Sequence, residues 1–244
     1  MYTRGDMMEV KLRKKPKSPI IIDGFPGFGM VGTIATEFLI EHLKTEQIGK
    51  IILEDDMPAL VAIHGGKIVE PLGIFYNKKY NIVIVHAIGG TIGTEWKVSE
   101  SILKIAKDLK AREIISLEGV GSSVEIDESK MFYYTADPRR AGRFAKLGIE
   151  QLKEGIIMGV TSALLLKAES TPVTCIFAET HMNLPDSKAA AKIVEALDKY
   201  LDLKVDYKPL LDVAKRLEGK LKQIMQQSKV AVTQRDKSAL NYVG

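Results

Sequence analysis

Gly27, Gly29 and Gly32 spell G-x-G-x-x-G between an apolar run, Ile20 to Asp23, and an amphipathic stretch reaching Leu43. After a strand, that spacing can cradle a pyrophosphate, because glycines let backbone amides approach the anion at a helix N-terminus. Glu54, Asp55 and Asp56 follow about twenty residues later, where a ribose-binding acid is expected. Three neighbours argue the other way. Pro26 removes one backbone donor, and Phe25 and Phe28 bring large apolar side chains to a place where a cradle wants small or polar groups. The favoured reading is a structural bend, with positive φ at Gly27 and Gly29 and close helix–sheet packing at Gly32. A nucleoside or phosphate pocket among Gly27, Gly29, Gly119 and Gly121 is the rival, making the chain a nucleotide-binding protein or a hydrolase-like enzyme.

Other candidates for chemistry are sparse. His42, His64, His86 and His181 include no i, i+4 pair and no H-E-x-x-H, and Cys175 has no second cysteine, so neither a metal nor another cofactor is expected. His86 and His181 follow strand-like runs, where sites occur in α/β sheets, but a satisfied core histidine is the favoured reading. Glu54, Asp55 and Asp56 could meet Glu179 as acid and base, or simply solvate loop tips. Ser122 and Ser123 follow Gly121 without forming G-x-S-x-G. No nucleophile–base–orienter set assembles, and no enzymatic activity is expected.

The elements that would position these residues alternate between α and β. Strands are expected at Ile20 to Asp23 and Lys50 to Glu54, joined by a helix from near Gly29 to Leu43 in a right-handed βαβ unit. Three strand-like runs then follow between residues 59 and 90 without room for a crossover helix, so they pair as antiparallel hairpins or a meander. Glu95 to Leu109 is a helix with Trp96, Val98, Ile102, Ile105, Ala106 and Leu109 on its apolar stripe. Further strands are expected at Glu113 to Glu118, in KMFYYTAD and in PVTCIFAET. Helices are expected after Asp137-Pro138, after Gly159, and after Pro185-Asp186. These elements predict a three-layer α/β/α sandwich with a mixed central sheet over residues 1–207. An amphipathic helix over 208–227 carries Leu210, Val213, Leu217, Leu221 and Ile224 as a seam for another helix or subunit, and 228–244 is a flexible tail.

Bulk properties narrow the function classes. A formal charge of +4 over 244 residues, with no dominant basic face, argues against nucleic acid; the run Lys11 to Ser18 reads as a solvated lead-in. No apolar stretch is long enough for a membrane span and no signal peptide is expected, so the chain reads as cytoplasmic. Abundant Ile, Lys and Glu with one Cys point to a heat-adapted source.

The segments DGFPGFGMVGTIATEFLI, SLEGVGSS, GVTSALLLKAE and IFAETHMNLPDSKAAAKIVEALDKYLDLKVDYKPLL, in that order, resemble the proteasome assembly chaperone family, particularly its archaeal members. The resemblance covers about residues 18–225, and Gly24, Pro26, Gly27, Gly29 and Gly32 are its signature loop. It implies an α/β/α sandwich distantly similar to nucleoside-phosphorylase folds. It also implies ATP-independent, non-catalytic binding to the proteasome core particle, its subunits or another chaperone-like protein, by a ring homo-oligomer, five-membered rather than four. Proteasome activators end in a hydrophobic residue, a tyrosine and one final residue. This chain ends Leu240-Asn241-Tyr242-Val243-Gly244, with the tyrosine one place too early and Asn241 replacing the hydrophobic residue. The extra residue displaces the terminal carboxylate by up to about 3.5 Å.

Overall fold

The computed structural model describes residues 8–54, 56–57, 61–64, 66–89, 91–121, 130–180, 184–207 and 212. The expected helix over 208–227, with Leu210, Val213, Leu217, Leu221 and Ile224, and the tail over 228–244 therefore lie outside the described residues, Asp212 excepted.

Among the described residues, a nine-stranded mixed sheet forms the middle layer. Its strands, in chain order, are β1 (Met8–Leu12), β2 (Ile20–Gly24), β3 (Glu46–Leu53), β6 (Leu72–Asn77), β7 (Ile82–Ala87), β8 (Glu113–Gly121), β9 (Met131–Thr135), β10 (Glu150–Gln151) and β11 (Val173–Thr180). The short strands β4 (Ala62–His64) and β5 (Lys67–Val69) make a separate hairpin. Across the main sheet the order is β1-β3-β6-β7-β2-β8-β11-β9-β10. The central four, β7-β2-β8-β11, are mutually parallel. Their sequences IVIVHA, IIID, EIISLE and VTCIFA are nearly continuous apolar runs because helices cover both faces.

Helices α1 (Val31–His42), α3 (Pro138–Lys146) and α5 (Ser187–Leu201) cover one face, and α2 (Glu95–Leu109) and α4 (Gly159–Lys167) the other. Ile34, Phe38 and Leu39 of α1 meet Ile193, Val194 and Leu197 of α5 in the first core. Val98, Ile102 and Ile105 of α2 meet Leu164 of α4 and Val83 and Phe177 of the sheet in the second. Tyr133, Phe144 and Tyr200 stack in series with centroids 4.9 and 4.4 Å apart, joining β9, α3 and α5. Asp137 caps α3 through the Arg139 amide and Asp186 caps α5 through the Ala189 amide, as the Asp-Pro and Pro-Asp entries suggest.

Five expectations change. The described residues within 59–90 form four strands, β4 to β7, rather than three. The charged segment before β2 is not only a lead-in, because Met8–Leu12 pairs antiparallel with β3 as the edge strand, alternating half-buried and exposed side chains. The second strand begins at Glu46, four residues early, and ends at Leu53. β3 runs parallel to β2, but β7 and β6 lie between them, so the β2-α1-β3 passage is a wide crossover rather than a neighbouring pair. Trp96 is off the apolar stripe, 52% exposed, with Lys167 Nζ 5.1 Å from its ring centroid.

The aromatic series sits at the centre of the first core, and Phe144 is fully buried. Phe144→Ala is expected to cost about 3–5 kcal/mol of unfolding free energy, measured by chemical denaturation at unchanged m-value.

Candidate functional site

The carboxyl ends of β2 and β8 are where an open parallel sheet presents a ligand crevice. Here the chain's own loop enters it. After Gly24 the backbone bends through Phe25-Pro26-Gly27, makes one 3-10 turn over Phe28–Met30, and starts α1 at Val31. Gly29 has φ +61° and Met30 φ +50°, whereas Gly27 is extended at φ −152°, so the positive φ expected at Gly27 is absent.

Close backbone approach is what the other glycines allow. A Cβ on Gly24 would overlap the Gly32 carbonyl, and one on Gly32 would overlap the Leu117 carbonyl of β8. A Cβ on Gly119 would overlap the Phe28 carbonyl, and one on Gly29 the Thr180 hydroxyl. The side of Gly119 and Gly29 on which the rival reading placed a nucleoside is thus packed against Phe28 and Thr180. The Asp186 amide donates to the Gly29 carbonyl at 2.8 Å, and Thr180 Oγ1 donates to Asp186 Oδ2 at 2.9 Å. These bonds fasten the loop to the entry of α5.

The remaining sequence candidates do not converge. Five strand spacings, about 24 Å, separate β3 from β11, so Glu54 and Asp56 stand far from Glu179, and Asp56 pairs with Lys97 at 2.8 Å. His86 is buried, with Nδ1 hydrogen-bonded to Thr36 Oγ1 at 2.8 Å and Nε2 2.9 Å from Glu37 Oε2. His42 stacks on Phe38. Asp55, Ser122, Ser123 and His181 lie outside the described residues, as does the tail candidate set Leu240, Asn241, Tyr242, Val243 and Gly244. No group of three or more His, Cys, Asp or Glu side chains suited to a metal occurs among the described residues.

Sequence reasoning missed a polar chain inside the second core. Register aligns Asp23 of β2, Ser116 of β8 and Cys175 of β11 side by side, and Glu118 stands two residues beyond Ser116 on the same face. Ser116 Oγ is 2.7 Å from Asp23 Oδ1 and 2.8 Å from Thr161 Oγ1 in the first turn of α4, and Thr161 lies beside Glu118. Burial pushes Asp23 up to about 7 against the Ser116 hydrogen bond, with Glu118 adding repulsion. Burial also raises Glu118 to about 7, with the neighbouring Thr161 hydroxyl pulling the other way. The Cys175 thiol is held well above its usual range by the same burial. An aspartate and a serine interrupting IIID and IISLE were the available signal.

The pattern of the PAC2 family matches residues 21–225. The chain belongs to the PAC2 family. Pyrococcus furiosus PbaA, an archaeal homolog of proteasome-assembly chaperone, superposes with a TM-score of 0.82 at 30% identity, over 92% of this chain and 99% of PbaA. A Methanocaldococcus jannaschii protein is 27% identical over 86% of this chain and 87% of its own length. Pyrococcus furiosus PbaB shares the fold, with a TM-score of 0.73 at 20% identity over 89% of this chain and 98% of PbaB. The α/β/α sandwich and the proteasome-assembly-chaperone kinship, both implied by the resemblance of the four ordered segments, are therefore those of a PAC2 protein.

Two outcomes follow for this PAC2 chain. Gly32→Ala and Gly119→Ala should each lose about 3 kcal/mol or more, because backbone carbonyls block the new methyl. Gly27→Ala, extended and with its nearest neighbour 3.6 Å from the Cβ position, should stay within about 0.5 kcal/mol in the same denaturation assay. Asp23 and Glu118 bind more protons folded than unfolded between their ordinary values near 4 and their raised values of about 7. They therefore make stability fall as pH rises through that window and add no slope above it, as pH-dependent unfolding will register.

Proposed function

We propose that this protein is an ATP-independent, proteasome-assembly-chaperone-like scaffold that acts as a homo-oligomeric ring and presents its C-terminal tails to the proteasome core particle or its subunits. The observation that carries this reading is the filled crevice. Where a doubly wound enzyme would seat its nucleotide, this chain seats Phe25 to Met30, pinned by backbone contacts that glycines alone allow. The kinship with PbaA, an archaeal homolog of proteasome-assembly chaperone, supports the assembly-chaperone reading.

Exposed apolar side chains support the oligomer. Ile92 (94% exposed), Trp96, Met158 and Leu166 lie on α2, α4 and the segments leading into them, and a surface of this kind suits burial against another subunit. The seam Leu210, Val213, Leu217, Leu221 and Ile224 supplies a second contact by sequence spacing. A five-membered ring is the preferred count. Its tails share one target, so a motif weakened by Asn241 and the displaced Tyr242 still gains from effective concentration. The location of action is the cytoplasm, and among the described residues no helix is long and apolar enough to cross a membrane.

Pull-down of core particle by the full chain should succeed and should fall about tenfold or more when residues 228–244 are removed or Tyr242→Ala is introduced. Light scattering should return a multiple of the 27.0 kDa chain mass. Equal capture by the truncated chain, or a monomeric mass, would contradict the proposal.

A further inference from the structure

At the opposite end of the parallel strands from the glycine loop, where β2 and β8 begin, lies an open pocket of about 300 Å³. It gathers Arg112, Arg139, Arg140 and Arg143 with Glu113 and Asp137. Four guanidinium charges meet two carboxylates, so the lining carries a net +2 in a chain whose net charge is only +4. Arg143 stands three residues after Arg140 and four after Arg139 on α3, a spacing at which like charges share a face and repel. Arg112 precedes β8, and Arg140 Nη2 donates to its carbonyl at 3.2 Å.

The four arginines differ in what neutralises them. Asp137 pairs with Arg139 at 3.4 Å and with Arg140, and Arg140 Nε lies 3.0 Å from Glu113 Oε1. Glu113 is buried and also accepts from the Tyr200 hydroxyl at 3.1 Å and from Thr174 at 2.5 Å. Both acids are thus occupied by Arg139, Arg140 and the core. Neutral acceptors hold the other two arginines. Arg112 Nε donates to the Ser18 carbonyl at 3.0 Å. Arg143 Nη2 donates to the Tyr200 carbonyl, and its guanidinium lies 4.0 Å from the centroid of the Tyr200 ring. Among the described residues neither meets a carboxylate, and Arg112 Nη1 and Nη2 and Arg143 Nε and Nη1 have no hydrogen-bond partner. A guanidinium fixed by a carbonyl keeps its full charge and its remaining donors, in a planar fork that matches the edge of a phosphate.

We propose that this pocket is a binding site for free phosphate or a small phosphate monoester, its phosphoryl dianion held by the unpartnered N–H groups of Arg112 and Arg143. The net charge of the lining matches a dianion, and a bound anion relieves the repulsion along α3. Side chains supply the attraction, because Asp137 already caps the start of α3. Ile20 is the single apolar residue of the lining, so recognition rests on the phosphoryl group rather than on an apolar body. A monocarboxylate brings one charge and one edge to two forks and is the weaker ligand. Neither the tails nor an oligomer is needed for this site, so it stands or falls apart from the scaffold reading.

The test titrates the full chain with sodium phosphate and glycerol 3-phosphate at about pH 8, where both are dianions, against sodium chloride and sodium acetate at equal ionic strength. Phosphate should raise the Tm by about 2 °C or more above chloride. Its affinity, measured by calorimetry, should fall about tenfold or more in Arg112→Gln and in Arg143→Gln. Lys104→Gln, which removes an exposed charge from α2 on the other face, should bind like the wild type. In nitrogen NMR of the wild type, the Arg112 and Arg143 Nε–H resonances should move saturably with the ligand, a readout that needs no variant. A response to free phosphate assigns the site to the phosphoryl group itself, and a response to glycerol 3-phosphate alone narrows it to monoesters. Stabilisation no greater than by chloride or acetate, arginine variants that bind like the wild type, an equal loss in Lys104→Gln, or guanidinium resonances that stay still would overturn it.

Discussion

Backbone meets backbone at the carboxyl end of the central sheet. Gly24 against Gly32, Gly32 against Leu117 and Gly119 against Phe28 are contacts in which a single Cβ would collide with a carbonyl. This proximity sets the height of α1 above the sheet and forces Phe25 to Met30 down into the strand-end crevice. It also lets the Gly29 carbonyl accept from Asp186, which starts α5. Two of the three helices of the first core, α1 and α5, are positioned from this one junction. A fingerprint that opens a nucleotide site in other folds closes it here, because the residues between the glycines are bulky and apolar and fill the space themselves.

The same closure explains what remains at the strand ends of the parallel sheet. The crevice floor still carries Asp23, Ser116 and Glu118, held on one face by strand register and roofed by Thr161 of α4. With the loop in place, what is left beside Glu118 is a small pocket rather than a cofactor groove. Its two acids titrate near neutrality because burial, not a catalytic partner, sets them. The outward surface is where the larger apolar area lies, at Ile92, Trp96, Met158 and Leu166.

Much of the fold was legible because its central strands are buried on both faces. IIID, IVIVHA and VTCIFAET announce themselves by continuous apolarity, and α2 by its three-and-four spacing. Asp137-Pro138 and Pro185-Asp186 marked helix starts through capping chemistry. The edge strand Met8–Leu12 was not legible, since an edge is half solvated and its lysines look like a tail. Trp96 fitted the helical stripe but lies beside Lys167, where an indole can stay partly wet. Sheet order was hidden as well, so Glu54 and Glu179 could be imagined together although four strands lie between theirs. The buried polar chain was missed because Ser116 and Thr161 are linked only in three dimensions. The glycine signature itself was readable as a bend, but which glycine turns left-handed was not, since that depends on Thr180 and Phe28.

The central claim is that the glycine loop fills the crevice instead of holding an anion. Its most direct test is amide NMR of the full chain titrated with ATP, NAD and inorganic phosphate. The account predicts that the amides of residues 27–32 do not shift in a saturable way with any of them. Saturable movement of the Gly29 and Gly32 amides, with phosphorus resonances broadening in step, would contradict it.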